Sequence, residues 1–128
     1  MQFAAHILVG LAGVWLIFVA GVMATRPEAA RSGIRAAGST VFLQWAEHLI
    51  RGSVGLAMVL AAETARMPQV FTIAGSFILV TSVIILALPR RWHQGYAQAC
   101  ADALAPWAIR VLSPLSLAGG IWLIWAVV

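Results

Sequence analysis

Residues 69–88 read QVFTIAGSFILVTSVIILAL, twenty positions without a charged side chain. As an α-helix rising ~1.5 Å per residue, the stretch is ~30 Å long, the thickness of a bilayer's hydrocarbon core. Its polar members after Gln69, namely Thr72, Ser76, Thr81 and Ser82, can return their hydroxyls to backbone carbonyls one turn back. Pro89 stops the run. The stretch therefore reads as a transmembrane helix, and the rest of the chain can be read outward from it.

Three further runs have similar length. One spans residues 3–24 and ends at Thr25-Arg26-Pro27; a second spans 40–62, capped by Ser39 or Thr40; the last spans 107–128, kinked at Pro114. Starting that last helix at Pro114 would leave it only ~22 Å long, too short to cross, so the longer kinked version is preferred. The expected fold is all-α: an integral membrane bundle of four transmembrane helices, as a single domain over residues 1–128.

Composition agrees. Of 128 residues, 62% are hydrophobic and 9% charged, against ~25% charged in a soluble domain, so the chain cannot cover a water-facing surface. The net charge of +4 comes from eight arginines and no lysine set against four acids. These arginines flank apolar runs instead of forming one basic face, which argues for lipid headgroups as partners and against nucleic acid. Arg26, Arg31 and Arg35 lie in the first connection, Arg66 alone in the second, and Arg90, Arg91 and Arg110 in or beside the third. Positive charge collects on the cytoplasmic side, so both termini are predicted outside, in a membrane of the bacterial inner type.

Between residues 91 and 105, Arg91, Gln94, Gln98 and Asp102 oppose Trp92, Tyr96, Ala99 and Ala103. That pattern predicts an amphipathic helix in the membrane interface, with Trp92, Tyr96 and Trp107 as anchors at headgroup depth and His93 facing the headgroups. In the first span His6, Gly10, Gly13, Ala20, Gly21 and Ala24 fall near one face, a small-residue stripe suited to close helix contact.

The second span is the exception. Gln44, Glu47, His48 and Arg51 follow i, i+3, i+4, i+7 spacing and make one intramembrane polar face. A lipid-facing charge there costs roughly 3 kcal/mol, so the face must turn inward. One reading is an internal Glu47–Arg51 salt bridge; the other is a proton, ion or anion path. His6 lies near the outer end of its span and is expected to pair with Glu63. His6 and His48 differ in depth by ~15 Å, so they cannot flank one haem iron, and the single Cys100 builds neither a disulfide nor a thiolate cage. No cofactor, no metal and no catalytic set is expected. An acid inside the first span, as small multidrug transporters carry, is missing, and the chain has no asparagine of the kind fluoride channels place in their middle helices.

Function thus divides between a non-enzymatic accessory or assembly protein, working as a homo-oligomer or in a larger membrane complex, and a small ion or solute transporter or channel whose path follows Glu47, His48 and Arg51. The first is favoured, because packing surfaces are plain and a catalytic set is not. The two are separable by burial: a wet polar face supports transport, a plugged one supports the accessory reading.

Overall fold

The computed structural model describes Met1–Val128, in six helices and no strand: α1 (Gln2–Thr25), α2 (Pro27–Ala36), α3 (Val41–Ala61), α4 (Pro68–Ala87), α5 (Arg90–Ala103) and α6 (Pro106–Val127). Local chemistry places their starts. Pro27, Pro68 and Pro106 stand in the first turn, where a missing N–H costs nothing. Thr40 caps α3 by accepting the Leu43 N–H at 3.1 Å. The sharp turn between α2 and α3 passes through Gly38 at φ +71°, a conformation that favours glycine.

Helix α6 continues through Pro114. Proline cannot donate to the carbonyl of Arg110 one turn back, and the Ser113 hydroxyl takes over that acceptor at 2.8 Å.

Three helices, α1, α4 and α6, are long and apolar enough to cross a membrane. Of the four expected spans, the three over residues 3–24, 69–88 and 107–128 meet that requirement, and the one over residues 40–62 does not. Helix α3 has the length, but Gln44, Glu47, His48 and Arg51 lower its hydropathy. A membrane location also follows from the surface, where Phe3, Trp15, Phe18, Ile50, Ile73 and Phe77 are all exposed. Soluble chains do not leave so much large apolar surface in water.

The helices pack as two antiparallel pairs, α1 with α6 and α3 with α4, joined where α1 meets α3. Each pair closes on facing glycines, Gly13 with Gly120 and Gly55 with Gly75, whose backbones approach too closely for a Cβ. Small side chains permit this approach, and in lipid such packing is what holds helices together. The apolar core lies toward the end away from α2 and α5. It is built from Ala5, Val9, Ala57, Met58, Ala61 and Phe71 with their neighbours, and Phe71 meets Trp122 at 5.5 Å between ring centroids. The small-residue stripe of α1 is only partly used: Gly13 and Ala20 are buried, whereas Gly10 and Gly21 have no neighbour near where a Cβ would stand.

At the other end α2 and α5 pack together. Arg35 pairs with Asp102 at 2.6 Å, Arg31 Nε donates to the Ala101 carbonyl at 2.7 Å, and Arg90 reaches the Gly38 and Ser39 carbonyls at 2.9 Å. Helix α5 buries Ala97 and Ala101, which leaves Trp92 and Tyr96 exposed, as is Trp107 at the start of α6.

Candidate functional site

The polar residues of α3 gather where α3, α5 and the Gly38 turn converge. Gln44 and His48, one turn apart, are buried, with 4% and 1% of their surfaces exposed; Glu47 and Arg51 are half-buried. Helix α4 runs antiparallel to α3 and ends beside its first turn, so after the short break at Leu88 and Pro89 the start of α5 must lie there as well. That brings His93 inward. The headgroup-facing position expected for it is corrected: its ring meets Gln44, Glu47 and His48.

The contacts define the site. His93 Nδ1 lies 2.6 Å from Gln44 Oε1, and Gln44 Nε2 donates to the Ile85 carbonyl at 3.4 Å. With the amide oriented by Ile85, its oxygen accepts the Nδ1 proton, which leaves the lone pair of His93 on Nε2. Nε2 in turn faces Glu47 Oε1 at 4.0 Å. The His48 ring stands edge-on to His93, 4.8 Å between centroids, and neither ring nitrogen of His48 has a hydrogen-bond partner. One ligand atom from each of Glu47, His48 and His93 lies within 4.8 Å of the others. The turn is shaped around these groups: a Cβ on Gly38 would stand 2.9 Å from His93 Nδ1 and 3.3 Å from Gln44 Oε1.

Two expected pairs do not form. Arg51 is turned to α4, where its guanidinium donates to Thr81 Oγ1 at 3.2 Å, and Glu47 is turned to His93 instead. On one helix, i, i+4 spacing permits a salt bridge, but partners on other helices have taken both groups. At the opposite end His6 Nε2 meets Thr64 Oγ1 at 3.0 Å, and Glu63 is exposed.

No protein family, curated protein or solved structure matches the chain. Its own geometry carries the reading.

Chemically the cluster offers two imidazoles, a carboxylate and an orienting amide. It contains no hydroxyl or thiol nucleophile: the nearby Ser82 is buried and spends its proton on the Ile78 carbonyl at 2.7 Å, and Thr81 bonds its own helix. An open, largely apolar groove between α3 and α4, lined by Leu49, Gly52, Leu56, Leu79 and Val83, reaches His48 from the side.

Proposed function

We propose that this chain is a four-span inner-membrane accessory protein that binds, and neither transports nor catalyses. The observation that carries this is the state of the α3 polar face. It is plugged: Gln44 is occupied by His93 and Ile85, His48 lies beneath His93, and Arg51 is spent on Thr81. A transport path needs polar groups facing water along its length, whereas here they are fixed against neighbours at one end.

Helix α3 is the fourth span in this reading. Its 21 residues match the 20 of α4, along which it packs through Gly55 and Gly75. Its charged positions are supported by His93 and Thr81, which is how ionisable groups are tolerated near lipid. The end bearing Arg26, Arg31, Arg35, Arg90, Arg91 and Arg110 faces the cytoplasm, against Arg66 alone at the other, so both termini lie outside. Trp92, Tyr96 and Trp107 then sit at headgroup depth, and the exposed apolar helix faces meet lipid, a second copy or other subunits of a complex.

The test is flux. Purified protein in proteoliposomes is expected to pass protons, potassium or zinc no faster than empty vesicles. A flux above that background which Glu47→Gln abolishes would replace this reading with the transporter.

A further inference from the structure

We propose that Glu47, His48 and His93 form a binding site for a divalent transition-metal ion of the zinc type, with Gln44 as the residue that positions His93. The site goes beyond the accessory reading and is independent of the number of spans.

Four observations converge on this site. The first is the donor set: two imidazoles and one carboxylate, a combination that zinc takes when it keeps a fourth position open. Calcium and magnesium call for oxygen ligands throughout, and without a thiolate the set does not suit copper(I).

The second is distance. An ion at the centre of a triangle with 4.8 Å sides lies ~2.8 Å from each corner. Zinc bonds nitrogen and oxygen at ~2.0–2.2 Å, so each side chain needs to move inward by under ~1 Å, within the reach of small χ rotations.

Third, His48 is 1% exposed and both its ring nitrogens are without partners. A buried polar group left unsatisfied is destabilising, and an ion bound within reach of Glu47 and His93 gives one of these nitrogens a partner.

The last is orientation. Imidazole ligands of metals hand their second N–H to an acceptor, which fixes the tautomer and the ring plane. The His93 Nδ1 contact with Gln44 Oε1 at 2.6 Å provides this arrangement, and the missing Cβ of Gly38 makes the room for it. Access is from the α3–α5 side, where the Glu47 side chain is 38% exposed and that of His93 12%. Sequence spacing hid the site because the third ligand is 45 residues beyond the second and on a different helix.

The experiment uses the full chain in detergent, stripped with chelator and dialysed against zinc, with metal content measured per chain. One zinc per chain is expected. Because losing the Gln44 acceptor should weaken binding by ~10–100-fold, losing a ligand in His48→Leu, His93→Leu or Glu47→Gln should cost more than that. Gln44→Glu, which keeps an acceptor, should preserve binding, and His6→Ala should leave it unchanged. Cobalt(II) gives a second readout on the unmutated protein: a visible d–d band of four-coordinate intensity.

His48→Leu also controls for folding. It removes an unpaired buried polar group, so its metal-free Tm should equal or exceed that of the wild type, while the Tm rise that zinc produces should vanish. Failure of the wild type to retain zinc, or retention that survives both His48→Leu and His93→Leu, overturns the site. Neither result depends on the flux measurement, so the two proposals fail separately.

Discussion

Replacing Gly120 by alanine should separate α1 from α6, and the structure sets the scale of the effect. A Cβ at Gly120 would stand 2.5 Å from the Gly13 carbonyl oxygen and 3.0 Å from the Ile17 amide nitrogen; one at Gly13 would stand 2.7 Å from the Gly120 carbonyl oxygen. These neighbours are backbone atoms and cannot rotate aside. Ordinary contact begins near 3.4 Å, so the axes must part by ~0.9 Å at the crossing.

Overpacking of this kind costs ~1–3 kcal/mol, while alanine's better helix propensity returns up to ~1 kcal/mol. Gly120→Ala is therefore expected to destabilise by ~1–2 kcal/mol. Gly10→Ala and Gly21→Ala, where nothing lies within 4 Å, should be neutral or stabilising by up to ~1 kcal/mol. The double variant Gly13→Ala/Gly120→Ala should cost less than the sum of its parts, because the first methyl has already opened the space for the second. Unfolding followed by helical circular dichroism in detergent measures all of these. If Gly13→Ala and Gly120→Ala behave like Gly10→Ala, the α1–α6 crossing is not as described.

Arg66 closes the opposite end of the fold: its Nε donates to the Trp125 carbonyl at 2.9 Å, its own N–H to the Ala126 carbonyl at 3.0 Å, and its guanidinium stacks 5.1 Å from the Trp125 ring centroid. Arg66→Ala should cost ~1–2 kcal/mol through the lost carbonyl bond and cation–π contact, read as a lower midpoint in the same unfolding assay, with Arg66→Lys recovering only part of it. The Arg35–Asp102 pair is short but exposed, at 47% and 69% of the two side-chain surfaces. Arg35→Ala should therefore change stability by less than ~1 kcal/mol, and a drop of several kcal/mol would show that α2 holds α5 chiefly through this pair.

What the sequence made legible was mostly local. Helix ends were signalled by residues acting on their own turn: Thr40 as a cap, Pro89 as a stop. The inward face of α3 was also within reach, because Gln44 and His48 are one turn apart and neither belongs in lipid. Azimuth between helices was not. The stripe on α1 contained Gly10, Gly13 and Gly21 on similar terms, yet only Gly13 faces α6.

Spacing alone likewise made Glu47 and Arg51 partners, while Thr81 and His93, on helices that periodicity cannot orient, competed for them. His93 was misplaced for a related reason. A two-faced reading of α5 assigned it to the headgroups, whereas packing on α2 through Ala97 and Ala101 rotates the first turn so that His93 points at α3. One signal for it was present: antiparallel α3 and α4 with a break of only Leu88 and Pro89 force the first turn of α5 next to Gln44.

The most direct measurement of the central claim is X-ray absorption at the zinc edge of the loaded, purified chain. Binding by Glu47, His48 and His93 predicts a first shell of nitrogen and oxygen at ~2.0–2.2 Å with outer-shell scattering from two imidazole rings and no sulfur. A first shell containing sulfur would place the ion at Cys100, and scattering from a single imidazole, or from none, would contradict a site shared by α3 and α5.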